Sequence, residues 1–380
     1  MIRTVLAVSV VALGAAACAT TWQPSLNAVA PVQAQDSYYV KGHNAVAARA
    51  AERGASHAKN VILFVGDGMG ISTITAARIY AGQSKGLDGE SYQLAMEKLP
   101  YSAFSKTYTH DSQVADSAPT AVAMTTGVKS YNGTLGVTQA ANIKDCASAK
   151  TSGTTSLWEI AEDAGMATGV ISTARITHAT PAATYAETVE RDWESDKDVS
   201  AAGKAAGCTD IASQLVAWQG AHGNGFDVIL GGGRTNFLPN TVADPEYANQ
   251  KGNRADGRNL VDEWKAGAPN RTAVIDRAGF NASNWNSDGQ IFGLFEPSHM
   301  QYELDRAKDG KGEPSITEMT KAAITRLSRN KNGYVLMVEG GRVDHGLHAG
   351  DAQRALGDAA ALDEAIAAAV AATDPKDTLI

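Results

Sequence analysis

The sequence predicts an α/β fold in which helices cover both faces of a central, mostly parallel sheet. Four short runs rich in Val, Ile and Leu end in Gly or polar residues, at Val61–Val65, Ala167–Ile171, Asp227–Leu230 and Tyr334–Val338. Continuous apolar runs of this length are typical of strands that are buried on both faces. Helical patterns lie between the runs, and carboxylate or imidazole side chains follow three of them.

The segment before the first predicted strand begins like a secretory signal peptide. It has a basic residue near the start, an apolar stretch and three Ala residues before Cys18, which predicts a signal peptide at 1–18. This ending resembles the bacterial lipoprotein box, with Ala15 where Leu is usual. Lipidation of Cys18 and simple cleavage therefore both stay open, and the mature protein is expected to be periplasmic or secreted. In that oxidising compartment Cys146 and Cys208 are either a disulfide or two unpaired buried thiols.

The rest of the chain divides into an N-terminal arm and one large domain. The pattern predicts a tether and an Ala-rich arm helix within 19–58, with the helix at 44–55, and a main domain at 59–380. Within that domain, 240–315 is rich in Asn, Asp and Gly, and we expect a loop-rich insertion there rather than core.

Three predicted helices have clear sequence signals. The segments Ser156–Glu159 and Ser315–Glu318 fit the capping box, in which the first and fourth residues satisfy each other's backbone N–H groups. The second box opens a helix whose apolar residues share one face, namely Ile316, Met319, Ala323 and Leu327. A third amphipathic helix is predicted from Ala352 to Ala372.

Composition excludes several classes of protein. The chain has 380 residues, 44% of them hydrophobic and 19% charged, which argues against a disordered chain. Its formal net charge is −8, whereas a general nucleic-acid binder usually carries a basic face. We therefore expect no nucleic-acid binding.

Residues that can bind a metal follow the predicted strands. Asp67 lies just after the first run, His178 after the second, and Glu339 directly after the last. Ligands of open parallel sheets bind beyond the carboxyl ends of the strands. Asp344 and His348 are four residues apart, a spacing used for zinc. A helix-capping Asp and solvated loop charges are the alternatives to a metal site.

The segment Asp116–Ala121 predicts the start of a helix that contains a candidate nucleophile. Asp116 or Ser117 can cap this helix, and Pro119 is tolerated in its first turn. Ser117 is therefore either a cap or a nucleophile activated by a base or metal. The chain has no Gly-x-Ser-x-Gly elbow and no phosphate-binding Walker loop, which argues against a hydrolase triad and a nucleotide-driven motor.

Four separated segments resemble the alkaline phosphatases, and the resemblance extends from about residue 45 to residue 380. These segments are Asn60–Gly70, Val114–Ala121, Thr177–Ala182 and Val338–His345. The resemblance implies a three-layer sandwich and the hydrolysis of phosphomonoesters by a phosphoric monoester hydrolase. It also implies a homodimer for a full-length chain.

The resemblance assigns roles residue by residue. Ser117 matches the nucleophile that becomes a phosphoserine, and Arg191 and His345 match substrate-binding positions. Two zinc ions and one magnesium ion are implied, with ligands at Asp67, Ser117, His178, Thr180, Glu339, Asp344 and His348. A weaker match places a possible calcium site at Glu246, the Phe295 carbonyl, Glu296 and Glu313. Cys146 and Cys208 match a disulfide of the animal-type members.

The chain departs from the family pattern at its end. It stops at Ile380, before the Asp-His pair and the later His that complete the zinc ligands in the family. We therefore expect the C-terminal part of the catalytic domain to be missing and turnover by this chain to be weak or absent. A non-catalytic fragment that binds phosphate or metal, and a phosphodiesterase or sulfatase of the same superfamily, are the alternatives. Ser117 within Asp-Ser-Ala and the match at Arg191 favour a monoesterase.

Overall fold

The structure is a computed structural model that describes residues 31–53 and 57–380. The predicted signal peptide at 1–18, including Cys18, lies outside the described residues.

The described chain alternates strands and helices. Its strands are β1 Asn60–Gly66, β2 Ala167–Arg175, β3 Val228–Gly232, β4 Arg271–Val274, β5 Gln290–Leu294, β6 Tyr334–Gly340 and β7 Thr378–Leu379. Its first helices are α1 Ser37–Arg53, α2 Ile71–Ser84, α3 Ser117–Thr126, α4 Cys146–Ala149, α5 Leu157–Asp163, α6 Ala179–Ala182 and α7 Ala201–Ala205. The others are α8 Ile211–Ala221, α9 Leu260–Ala266, α10 Arg277–Ala282, α11 Ile316–Leu327, α12 Gly341–His348 and α13 Ala352–Ala372. Short 3-10 turns occur at Val32–Gln35, Met96–Lys98, Arg234–Phe237 and Arg306–Lys308.

The strands form one sheet in the order β4-β5-β3-β2-β6-β1-β7, and each described pair is parallel. Alternate residues of β6 serve the two faces. Val335 and Met337 pack into a core that includes residues of α3, α5 and α8, whereas Leu336 and Val338 pack into a second core with α11 and α13. The prediction of helices on both faces of a parallel sheet is confirmed.

The helix signals in the sequence correspond to real helix starts. Ser315 and Glu318 form the complete capping box of α11. Ser156 caps α5 by accepting a bond from the Glu159 N–H. The long helix α13 has the predicted bounds, Ala352–Ala372.

The segment 240–315 is mostly loop, but it contributes to the core, contrary to the expectation that it lies outside it. Two helices and two strands lie within it, and β4 and β5 form one edge of the sheet. Phe292 and Phe295 of this segment are 1% and 0% exposed. The four elements are only four to seven residues long, so the Asn, Asp and Gly of their caps and turns dominate the local composition.

The arm helix begins earlier than predicted. Helix α1 begins at Ser37, within the expected tether, because the carboxylate of Asp36 accepts bonds from the N–H groups of Tyr38 and Tyr39. A carboxylate in this position caps a helix.

In the part of the chain that the structure describes, no helix has both the length and the apolar character needed to cross a membrane.

Strand pairing brings distant residues to one edge of the sheet. In the neighbouring strands β1, β6 and β2, Val65 is level with Glu339, and Glu339 is level with Ser172. The turns after these strands therefore begin side by side, which is where Asp67, Glu339 and His178 were expected to meet.

Candidate active site

Ser117 is the first residue of helix α3, and its hydroxyl faces the carboxylate of Asp67. Ser117 Oγ lies 3.3 Å from each carboxylate oxygen of Asp67. The capping role belongs to Asp116, which accepts a bond from the N–H of Ala118. The first N–H groups of a helix favour an anion at this end. Ser117 therefore combines a polarised hydroxyl with an anion-binding helix start.

Two carboxylates approach each other closely beside Ser117. Burial and the nearby Asp344 carboxylate raise the pKa of Asp67 to about 6, and burial also raises the pKa of Asp344. Gly68 lies between them with a φ of 63°, and a Cβ there would be 2.4 Å from Asp344 Oδ1. Only glycine allows this backbone conformation and this approach. Asp344 Oδ2 is 3.4 Å from Nε2 of His348, one turn later on α12, so these two side chains lie on one face of the helix.

Glu339 is a third carboxylate, fully buried at the end of β6. It is 0% exposed, bonds the hydroxyls of Ser172 and Thr180, and leaves Oε1 without a partner. Burial and the charge of Asp67 raise the pKa of Glu339 to about 8. A buried carboxylate with an unsatisfied oxygen is costly unless a cation or proton compensates it. Asp67, Thr180 and Glu339 therefore fit a bound magnesium ion by their oxygen ligands.

The guanidinium of Arg191 lies beside the start of α3. Its Nη1 contacts Asp116 Oδ1 and its Nη2 lies 3.1 Å from Nε2 of His178. The backbone N–H of Arg191 donates to the carbonyl of Gly133 at 2.8 Å. A planar guanidinium next to the nucleophile's helix can bind two oxygens of a tetrahedral anion once it turns away from Asp116.

A cluster of three imidazoles continues from Arg191. His178, His299 and His345 each offer a ring nitrogen within 4.8 Å of the others. Arg175 Nη1 is 2.5 Å from His299 Nε2, and Arg342 Nη1 is 3.2 Å from His345 Nδ1. Burial and these cations lower the pKa of His345 to about 4 and lower those of His178 and His299 as well. The lowered pKa values favour the neutral form of these rings. One nitrogen of each ring lies within hydrogen-bond distance of a guanidinium, and Nδ1 of His178 has no partner.

His299 was missed by the sequence analysis. It lies in the loop after β5, inside the segment that was expected to be an insertion, and its spacing to the other two imidazoles follows no motif.

A second acidic cluster lies at the end of β5. Glu246, Glu296 and Asp309 place carboxylate oxygens within 4.8 Å of one another. Burial raises the pKa of Glu296 to about 7 and that of Glu313 to about 9. The charges of Glu296 and Asp309 also raise the pKa of Glu313. Asp309 and Glu313 each keep one buried oxygen without a partner. Phe295 directly precedes Glu296, and its side chain belongs to the core.

Of the carboxylates expected for calcium, Glu246 and Glu296 lie in this cluster together with Asp309, which was not predicted. Glu313 lies beside it, and Gln301 donates to both Glu313 and Glu296. Asp309 lies in a loop after the Arg306–Lys308 turn, where an acidic residue carries no distinguishing pattern.

The sulfur atoms of Cys146 and Cys208 form a disulfide. The pairing implied by the resemblance is confirmed.

A parallel sheet with carboxylates at its carboxyl edge, a serine at a helix start and a guanidinium beside it is the architecture of metal-dependent ester hydrolases. The sequence profile of alkaline phosphatases matches residues 58–380. The chain therefore belongs to the alkaline phosphatase family.

Individual relatives agree with this assignment. The chain is 44% identical over 327 residues to alkaline phosphatase of Gadus morhua, covering 85% of this chain and 67% of the relative. It is 43% identical over 335 residues to the tissue-nonspecific isozyme of alkaline phosphatase from Homo sapiens, covering 85% of this chain and 62% of that relative. The crystal structure of Thermus thermophilus alkaline phosphatase superposes with a TM-score of 0.67 at 30% identity, covering 85% of this chain and 58% of that one. The chain thus spans about three fifths to two thirds of the length of these relatives.

Proposed function

We propose that the protein is a metal-dependent alkaline phosphatase that hydrolyses phosphomonoesters through a phosphoserine at Ser117 and releases inorganic phosphate. The observation that carries this proposal is the position of Ser117 Oγ, 3.3 Å from both oxygens of Asp67 at the start of α3. A serine needs such activation to act as a nucleophile.

The residues of the chain divide the work of binding and attack. The guanidinium of Arg191 turns away from Asp116 and donates two N–H groups to two oxygens of the phosphoryl group. The N-terminal dipole of α3 stabilises the negative charge of that group. Asp67 orients the hydroxyl of Ser117, whose Oγ attacks phosphorus opposite the leaving oxygen. A water molecule then hydrolyses the phosphoserine and restores the hydroxyl. His345, whose ring centroid lies 5.5 Å from that of His178, is assigned to substrate binding on the family resemblance.

Cations complete the site in this proposal. Asp67, Thr180 and Glu339 would hold magnesium, with His178 adjacent. Asp344 and His348 would hold one zinc ion, and Asp67 and Ser117 would hold the other. Bound zinc and magnesium lower the pKa of the serine hydroxyl and stabilise the charge that develops on the attacking and leaving oxygens.

The residues present suit the magnesium ion better than the two zinc ions. The magnesium ligands include a buried oxygen without a partner, whereas each zinc position has two protein ligands among the described residues. Catalytic zinc normally keeps three, so added zinc belongs in every assay of this chain.

A calcium ion is proposed for the acidic cluster at Glu246, Glu296, Asp309 and Glu313, together with the Phe295 carbonyl. Arg234 and Gln301 donate to part of this cluster, but Asp309 and Glu313 each keep a buried oxygen without a partner, and such oxygens suit a hard cation. Burial, and secondarily repulsion between neighbouring carboxylates, raises the pKa values of Glu296 and Glu313, and a bound calcium ion would favour their ionised forms.

We further propose that the protein is exported to the periplasm or secreted, through the signal sequence at 1–18, with a lipid anchor on Cys18 as one outcome. Dimerisation through the arm helix α1 is proposed on the family resemblance. Intact-mass analysis of the exported protein and light scattering test these two points.

Phosphorylation and turnover test the main proposal together. The purified 380-residue chain, with zinc and magnesium added, is mixed with p-nitrophenyl phosphate, and phosphate release and acid-trapped phosphoserine are measured. We expect both signals to disappear in Ser117→Ala and to persist in Ser105→Ala, a control serine that is exposed. Phosphoserine or turnover that survives Ser117→Ala contradicts the proposal, whereas weak turnover of the unaltered chain is the result expected from two protein ligands at each zinc position.

A further inference from the structure

The disulfide lies at the centre of a small apolar core that is separate from the two cores of the sheet. This disulfide cluster consists of the buried residues Val137, Ala141, Cys146, Val189, Trp193 and Val199, with Ala149 and Cys208 packed at its margin. No strand of the sheet contributes to it. The cluster therefore stabilises loops and short helices rather than the sheet.

Arg191 is held between two members of this cluster. Val189 and Trp193, two residues before and two after it, are 1% and 4% exposed. The side chain of Arg191 leaves the cluster in the other direction and contacts Asp116 and His178. The position of the guanidinium therefore depends on how firmly Val189 and Trp193 are anchored.

The segment around Cys146 anchors the first of these residues. The backbone N–H of Lys144, two residues before Cys146, donates to the carbonyl of Val189 at 3.2 Å. Lys144 adopts a φ of 63° and is the one residue other than glycine with a positive φ in the described chain. A lysine keeps this left-handed conformation only where its surroundings impose it. The disulfide is the nearest covalent constraint on this turn.

The segment around Cys208 anchors the second residue. A Cβ at Gly203, in α7, would lie 3.1 Å from Cη2 of Trp193, so the ring packs directly on this backbone. The N–H of Cys208 donates to the carbonyl of Gly203 at 2.9 Å. One S–S bond thus joins the two segments that hold the two ends of the stretch 189–193.

We propose that Cys146 and Cys208 are redox-sensitive positioning residues, whose disulfide holds Arg191 in place for phosphate binding. The proposal rests on the function proposed for Arg191 above. Reduction frees the Lys144 turn and the Gly203 backbone from each other, so the guanidinium samples more orientations and binds phosphate less tightly. A guanidinium that must donate to two phosphate oxygens at once binds more weakly when its orientation becomes less ordered.

The chemistry of the switch is thiol–disulfide exchange with a small dithiol. One thiolate of the dithiol attacks one protein sulfur, forms a mixed disulfide with it and releases the other protein thiolate. The second thiolate of the dithiol then attacks the dithiol sulfur of the mixed disulfide and displaces the first protein thiolate. The protein disulfide gains two electrons and two protons, and the dithiol is oxidised to a cyclic disulfide. A cavity of about 180 Å³ lined by both cysteines, Gly207 and Thr209 gives a small dithiol access.

The test compares the oxidised and reduced forms of the whole chain, with zinc and magnesium present at fixed free concentrations. Calorimetry measures the affinity for inorganic phosphate, and hydrogen exchange measures the protection of amides 187–195. On reduction we expect about a tenfold weaker affinity for phosphate, which corresponds to RT ln 10, and faster exchange at 189–193. In a turnover assay KM should rise while kcat changes little, because the interaction lost is made by substrate and transition state alike.

Two variants separate positioning from other effects of the reductant. Cys146→Ser/Cys208→Ser should resemble the reduced form and be insensitive to the dithiol, which excludes metal extraction by the reagent. In Arg191→Ala, reduction should no longer change the phosphate affinity, although exchange at 189–193 still rises. A loss of affinity that is as large in Arg191→Ala as in the parent overturns the proposal, because a general loosening of the fold would act without Arg191.

Two negative outcomes are distinguishable. Unchanged phosphate affinity and unchanged exchange on reduction overturn this inference and leave the proposed function intact. A chain that binds no phosphate in either redox state overturns the proposed function, and the inference with it.

Discussion

Replacing Glu162 by Gln should stabilise the protein increasingly as the pH rises. Glu162 is 2% exposed, and burial and the charge of Asp227 raise its pKa to about 8. Its Oε1 lies 2.5 Å from the Thr168 hydroxyl, and its Oε2 accepts a bond from the Gly225 N–H at 3.1 Å. A protonated carboxyl can donate to Thr168 and accept from Gly225, and a Gln amide reproduces both bonds.

The magnitude follows from the shift of the pKa on folding. The pKa rises from 4.5 to about 8, so between these values the folded protein holds a proton that the unfolded chain has released. The stability that this proton contributes is complete below pH 4.5 and is lost as the pH rises through about 8. The loss is about 1.4 kcal/mol per pH unit, or about 4 to 5 kcal/mol over the whole range. Gln does not titrate, so its advantage over Glu162 grows by the same amount.

Urea unfolding of both proteins between pH 5 and pH 9, followed by circular dichroism in the presence of a chelator, measures this difference. Metal binding and every other titrating group are common to the two proteins and cancel. Glu90→Gln provides a control because Glu90 is exposed on the loop after α2, and its effect should stay within about 0.5 kcal/mol. A difference between Glu162→Gln and the parent that is the same at pH 5 and pH 9 would refute the reasoning.

Two further substitutions probe buried charges. Arg326→Met should destabilise the protein by about 3 to 5 kcal/mol in urea unfolding, because it leaves Asp227, whose Oδ1 is 2.7 Å from Arg326 Nη2, without its cation. The double variant with Asp227→Asn should recover part of this loss, and equal damage in both would contradict the argument. Asp309→Asn should weaken calcium binding in calorimetry about tenfold, since carboxylate charge tunes the affinity of such sites. Asp88→Asn, on an exposed loop, should leave calcium binding unchanged, and a similar affinity in both variants would remove Asp309 from the site.

The sheet could be predicted from the sequence where its strands are buried on both faces. β6 reads as an uninterrupted apolar run because both neighbours and both helix layers exclude water from it, and all seven of its residues are buried. β4 shows no such run: it has four residues at the edge of the sheet, and Val274 alone is buried. A short edge strand carries too few apolar residues to stand out from the turns around it. The same limit explains why no contribution to the core was expected from 240–315.

The residues of the candidate site also differ in how far the sequence predicts their positions. Parallel pairing places Val65, Glu339 and Ser172 level with one another, so residues that directly follow these strands must meet, however far apart they are in the chain. Asp67 and Glu339 were therefore predictable from position alone. His299 and Asp309 reach their clusters through long loops after β5, where the conformation depends on tertiary contacts rather than on register. A sequence thus reveals the part of a site that the sheet carries, and the loops that line it must be located in the structure.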